Sequence, residues 1–214
     1  MIRKQYQGPK NDKERTKSKL VKAVGTVIQT KGYTGLTATN IAKAAGLSRR
    51  AISLYFDTVE NLIETYVKSK DYWVAAAGDA ANLTAVDSNE RNKEVLEKLL
   101  LNQFRYFFNN EEMQKIVLWQ ISEQTEVMYH VCEEREKLSQ AFFALADKEA
   151  TIKDVDLRAI AALLVGGIYH LVLHAKGTSS LFCELDINQT EDFERVEKAI
   201  SLVLKWAYEA RCPM

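Results

Sequence analysis

Residues 37–56, Thr37-Ala-Thr-Asn-Ile-Ala-Lys-Ala-Ala-Gly46-Leu-Ser48-Arg-Arg-Ala-Ile-Ser-Leu-Tyr55-Phe56, read as two short helices joined by a glycine turn. Thr37 can cap the first, because its hydroxyl accepts one of the backbone N–H groups that a helix start leaves unbonded. Ile41, Ala42 and Ala45 then share its inward face, and Gly46 ends it. Ser48 is expected to cap a second helix from Arg49 to about Phe56, in which Ile52 and Phe56, four apart, share one buried face. Ala42 is small enough for close helix crossing, and Leu47 and Ile52 pin one helix to the other. This is the spacing of a helix-turn-helix. With Ile52 and Phe56 inside, Arg49, Arg50, Ser53 and Leu54 project outward near the N-terminal end of the second helix, the end that such motifs place in a DNA major groove. An arginine fork matches the O6 and N7 of guanine, each good contact discriminating by about 1–3 kcal/mol. Leu54 has two readings, a contact for a thymine methyl or packing against the next helix.

Upstream, Leu20, Val21, Val24, Val27 and Ile28 form one helical stripe between Asp12 and Lys31, with Gly32 at the left-handed cap position. Residues 1–12, polar and containing Gly8-Pro9, read as a mobile arm. Downstream, Thr58, Glu60 and Asn61 can open a fourth helix bearing Leu62, Ile63, Tyr66 and Val67 and reaching as far as Trp73. Residues 75–92 show no clear period. Helical patterns then return at 92–109, 111–123, 126–149, 154–174 and 191–210, and prolines occur only at positions 9 and 213. The expected class is all-α: an arm over 1–12, a three-helix head over 13–58 and a helical body over 59–214.

The charge divides along the same line. Residues up to Phe56 hold twelve Lys or Arg and only Asp12 and Glu14, a formal +10; the remainder carries −10, so that the 214 residues balance at +0. A basic head suits phosphate neutralisation on double-stranded DNA. A helical interaction module whose basic head binds an acidic protein is the second reading of the same asymmetry. Three cysteines, Cys132, Cys183 and Cys212, lack the spacing of a disulfide framework or a zinc knuckle. The start of the chain is too polar for a signal peptide, and no apolar run approaches the roughly 18 residues of a membrane span, so a cytoplasmic protein without membrane contact is expected. His170 and His174 stand four apart with Cys183 downstream, but no third ligand is evident and no metal is expected. Nucleophile-elbow, Walker, glycine-rich and H-E-x-x-H motifs do not occur, which speaks against an enzyme and against a cofactor.

The stretch from Arg15 to Tyr66 resembles the DNA-binding head of the tetracycline-repressor (TetR) family of bacterial regulators. The residues that carry the resemblance are Gly32-Tyr33, Gly35-Leu36-Thr37, Ile41-Ala42, Ala45-Gly46-Leu47-Ser48 and the run Ile52-Ser53-Leu54-Tyr55-Phe56-Asp57-Thr58-Val59-Glu60-Asn61-Leu62. The resemblance implies DNA contacts from Arg15, Lys17, Thr37, Thr39, Ser48, Arg49, Arg50, Ser53, Leu54 and Tyr55. Family members usually have tyrosine at the position of Ser53 and commonly lysine at those of Asp57 and Val59, which touch phosphate. This leaves backbone contact to Tyr55, Thr39 and the basic residues Arg15, Lys17 and Lys19, with Lys43 a solvated charge.

For the body the resemblance implies a divergent ligand-binding and dimerisation domain. Residues 154–174 are apolar nearly all round and 193–207 carry a stripe, which suits two helices meeting their copies in a symmetric four-helix interface. Leu164, Gly167, Ile168, Leu171, Val196, Ile200, Val203 and Leu204 are the expected interface residues, and Gly166-Gly167 permits close approach. A dimer would set two recognition helices about 34 Å apart on a near-palindrome. Aromatic density between 104 and 170 points to a pocket for a mostly hydrophobic small molecule, for which Phe104, Phe107, Trp119, Gln120, His130, Tyr169 and His170 are the candidates.

Overall fold

The computed structural model describes residues 9–73, 89–148 and 155–210. Apart from one isolated antiparallel bridge between Phe182 and Leu185, regular structure among them is helical. In chain order the helices are α1 (Pro9–Lys31), α2 (Ala38–Ala45), α3 (Arg49–Phe56), α4 (Val59–Lys70), α5 (Asn89–Asn109), α6 (Glu111–Ser122), α7 (Glu126–Lys148), α8 (Leu157–Thr178) and α9 (Thr190–Glu209), with a 3-10 turn at Tyr33–Gly35. The protein is all-α, with a helix-turn-helix head and a helical C-terminal part.

Three boundaries differ from the sequence expectation. Helix α1 starts at Pro9 rather than Asp12, since proline at the first helical position lacks only an N–H that would have no partner there; residues 1–8 of the expected arm lie outside the described residues. Helix α4 stops at Lys70, and Asp71 interrupts it before Trp73. Helix α8 runs on past His174 to Thr178, where Ser179 takes a left-handed conformation at φ 54°. Most of 75–92, the stretch without a clear period, also lies outside the described residues; α5 opens at Asn89.

The chain divides into two compact units, Met1–Lys70 with Trp119–Cys132, and Asp71–Leu118 with Glu133–Met214. In the first, Leu20, Val24, Val27 and Ile28 of α1 pack with Ile41 and Ala42 of α2 and with Leu62, Ile63, Tyr66 and Val67 of α4, all buried. In the second, α5 packs against α8 and α9, and Leu100, Phe104, Phe107, Ile168, Val172, Ile200 and Leu204 are buried. Phe104 stacks on Phe193 with ring centroids 4.2 Å apart, and Arg105 Nε donates to Glu197 Oε1 at 2.6 Å, joining α5 to α9.

One expectation needs correcting. Helix α8 is long and apolar enough to cross a membrane by length and composition, with a mean hydropathy of 1.6 over its best window, although the sequence had suggested no such run. Only 22% of that window is buried within the chain, and Leu163 stands exposed on it.

Candidate nucleic-acid interface

Thr37 caps α2: its side chain accepts from the backbone N–H of Asn40 at 3.2 Å. The Asn40 side chain secures the preceding turn, donating to the Gly35 carbonyl at 2.8 Å while accepting from Lys31 Nζ at 2.8 Å. At the other end, Gly46 sits at φ 65°, ψ 33°, and the Leu47 N–H reaches back to the Ala42 carbonyl at 2.9 Å. That bond closes a Schellman turn, which needs a left-handed residue and so favours glycine. Ser48 occupies the N-cap position of α3 in extended conformation, but its side chain makes no cap hydrogen bond, contrary to the expected role. Its hydroxyl is exposed.

Ile52 is the buried anchor of α3, at 2% exposure, while Tyr55 and Phe56 are half-buried. Arg49, Arg50, Ser53 and Leu54 are all exposed. Leu54, at 72%, is not packed on α4, which removes one of its two readings. After α3, Asp57 turns the chain at φ 69°, and Thr58 Oγ1 accepts from the Asn61 N–H at 3.1 Å to cap α4. Asn61 Nδ2 returns to the Phe56 carbonyl at 3.1 Å. Asn40 and Asn61 thus hold the ends of the two-helix motif. Of the other expected contact residues, Arg15, Lys19, Thr37 and Thr39 are exposed and Lys17 is half-buried. Lys43 is exposed as well.

The seven expected ligand residues are divided between the two units. Trp119, Gln120 and His130 belong to the unit that contains the head. There Trp119 is buried against Tyr33, Gln120 is half-buried, and exposed His130 sets Nδ1 3.1 Å from Glu64 Oε2. The other four belong to the second unit. Phe104 is core, Phe107 meets Tyr169 edge-on at 4.9 Å, and exposed His170 lies 4.9 Å from Phe182. The His174 ring is 6.0 Å from that of His170 and its Nε2 lies 2.9 Å from Ser180 Oγ.

Tyr169 belongs to a polar cluster that the sequence reading did not assemble. Its hydroxyl accepts from Trp73 Nε1 at 3.0 Å, and burial pushes its pKa above the usual value of 10.0, with Arg135, Trp73 and Gln103 acting against that rise and Asp71 with it. Arg135 Nε donates to Asp71 Oδ2 at 2.7 Å, its terminal nitrogen bonds the same oxygen, and the Trp73 N–H holds Oδ1 at 2.9 Å. The one signal in the sequence was Gln103, a polar residue inside the apolar stripe of α5.

A groove of about 450 Å³ runs between α8 and α9, lined by Leu163, Leu164, Gly167, Ile168 and Leu171 on one side and Val196, Ala199, Ile200 and Val203 on the other. Seven of the eight expected interface residues line it, and the eighth, Leu204, is buried beneath. A Cβ on Gly166 or Gly167 would meet no atom within 4 Å, so that stretch of α8 is open to a close neighbour.

Residues 17–66 match the family model described as bacterial regulatory proteins, tetR family. No curated protein sequence matches the chain. Similar solved structures include a TetR family transcription regulator from Marinobacter aquaeolei VT8, at 19% identity over 94% of this chain and 97% of that one, with a TM-score of 0.62. The transcriptional regulator FadR from Bacillus subtilis, in complex with stearoyl-CoA, is 16% identical over 87% of this chain and 96% of that one, with a TM-score of 0.62. NalD, the secondary repressor of the MexAB-OprM multidrug efflux pump in Pseudomonas aeruginosa, is 18% identical over 87% and 96%, with a TM-score of 0.61. At such identities the likeness is one of fold, and the head carries the closer signature. With its cap, turn and anchor residues in register and the family model laid over them, residues 17–66 form the DNA-binding head of the tetR family of bacterial regulatory proteins.

Proposed function

We propose that the protein is a cytoplasmic, homodimeric repressor that binds a near-palindromic operator through residues 13–58 and leaves it when a small, mostly hydrophobic effector binds the domain formed by 59–214. The observation that carries this reading is the outward row Arg49, Arg50, Ser53 and Leu54 on a helix whose buried side is anchored by Ile52. Two guanidinium groups and an exposed leucine have no internal use there, and they are the groups that read guanine edges and thymine methyls. Ser48, Tyr55, Thr37, Thr39, Arg15 and Lys17 supply backbone contacts.

The groove between α8 and α9 supports the dimer. Its apolar walls and the exposed Leu163, Leu202 and Trp206 on the same two helices form a self-complementary face, so that a two-fold axis would cover both copies at once. Two heads held in this way read two half-sites. The effector acts by population: it prefers the form whose heads are wrongly spaced, and it shifts the balance only by its difference in affinity for the two forms. The stearoyl-CoA held by the Bacillus subtilis neighbour supports an apolar effector.

A gel-shift titration in rising salt separates this function from a basic module that docks on an acidic protein. Specific DNA binding holds one site against competitor DNA and weakens steeply with salt, each phosphate contact adding about 0.9 to the log–log slope. Equal loss to any competitor would favour the protein-docking reading.

A further inference from the structure

We propose that one row of side chains on α9 sets how two copies of this chain recognise each other: antiparallel across a two-fold axis, with Arg195 on the indole of the partner subunit's Trp206 and Ala199 facing the partner subunit's Leu202. This rests on the homodimer reading and adds the register and the residues that choose the partner. Arg195, Ala199, Leu202 and Trp206 follow one another at spacings of four, three and four, so they share one face of α9, and all four are exposed. Arg195 and Ala199 also line the groove between α8 and α9, so the row continues its apolar wall. Leu202 and Trp206, 42% and 59% exposed, extend that wall into the kind of open apolar surface that marks a binding face.

The order of the row decides what covers it. Its spacing is the same read from either end, so a second α9 running the opposite way brings Arg195 to Trp206 twice and Ala199 to Leu202 twice, the closed arrangement that a two-fold axis makes. Both meetings are complementary. A guanidinium stacks flat on an indole, the best of the aromatic partners for a cation, and the small Ala199 leaves the room that Leu202 fills. Arg195 is already held for this: its Nη1 donates to Asp192 Oδ1 at 2.7 Å, an in-plane bond that steadies the guanidinium and leaves its flat face for the ring. Parallel copies would instead set Arg195 against Arg195, where like charges repel. A small molecule lying in the groove would leave Trp206, which is not among the lining residues, uncovered.

The test is a charge exchange read by sedimentation equilibrium and native mass spectrometry of the full chain. Arg195→Glu and Trp206→Arg are each expected to raise the dimer dissociation constant at least about tenfold, since every dimer loses two cation–π contacts. Mixed together, the two variants should form heterodimer in preference to either homodimer, because one contact becomes a glutamate–arginine pair and the other stays as in wild type. A chain carrying both substitutions should self-associate at least about threefold more tightly than either single variant, the sign of direct coupling. If Arg195→Glu does not fold, size replaces charge: Ala199→Leu should weaken the dimer, and adding Leu202→Ala should restore it. Variants that dimerise as wild type does, or single variants that weaken the dimer while neither the mixture nor the double substitution recovers it, would overturn the register and leave the dimer standing. Wild type remaining monomeric would give this face to another occupant and overturn the homodimer as well.

Discussion

The indole of Trp119 lies parallel to the phenol of Tyr33, with ring centroids 6.0 Å apart and planes inclined by 3°. Tyr33 opens the turn that leads into α2, and Trp119 is 6% exposed, so this stack ties the last turn of α6 to the entrance of the helix-turn-helix. Trp119→Ala is expected to cost about 3–5 kcal/mol, the usual range for deleting a large buried aromatic. Thermal unfolding measures it, and Trp119→Phe should recover much of the loss. A melting temperature unchanged by the alanine would show that the stack contributes nothing.

Two glycines of the head should respond differently to alanine. At Gly46 the left-handed backbone is the only obstacle, for a Cβ there meets nothing within 4 Å, and the expected cost is about 1–2 kcal/mol. At Gly35 a Cβ would fall 2.5 Å from Lys31 Cβ, so the backbone must move and the bond from Asn40 to the Gly35 carbonyl moves with it. Chemical denaturation should therefore rank Gly35→Ala as the more damaging, and the reverse order would contradict this account of the turn.

Base reading and backbone binding should separate by mutation. Arg50→Ala is expected to lose about 1–3 kcal/mol on the preferred operator and to relax its sequence preference. Lys17→Ala should weaken every sequence about equally and lower the salt slope by about 1. Quantitative gel shifts on matched and mutated sites check both, and indifference of both variants would mean that α3 has been given the wrong face.

Acid should loosen the contact between α4 and the start of α7. Burial pulls the Glu64 carboxyl up, but hydrogen bonds from Lys68 and His130, together with their charges, outweigh it and hold the group below 4.5, its ordinary value. A carboxyl depressed in the folded state adds stability that is complete above the ordinary value and is lost as pH falls through the lower, folded one. Glu64→Gln should flatten that part of the stability curve, more visibly at low salt because the pair is partly exposed. Identical acid profiles for the two proteins would remove the contact from the account.

What the sequence made legible was local. Thr37 and Gly46 announce their caps within a few residues, and Gly32 marks the end of α1 with a positive φ of 68°, though its ψ of −176° is not that of a left-handed cap, so the helices of the head stand close to where the pattern put them. Helices α5, α6 and α9 likewise follow from apolar spacing. Contacts far apart in sequence leave no such trace. Nothing local pairs Tyr33 with Trp119, or Asp71 with an arginine 64 positions away. Periodicity does not say which core an aromatic joins: Trp119 and His130 fall in one unit, Phe104 and Tyr169 in the other. The turn Phe182-Cys183-Glu184-Leu185 was equally unreadable, since Cys183 and Glu184 take positive φ values of 51° and 63° without a glycine.

In-vitro selection of bound DNA by the purified full-length protein tests the central claim most directly. The account predicts one enriched inverted repeat whose half-site centres lie about 34–36 Å apart or a multiple of that, the mark of two α3 helices related by a dimer axis. Recovery of no preferred sequence, or of a lone half-site bound by a monomer, would contradict it.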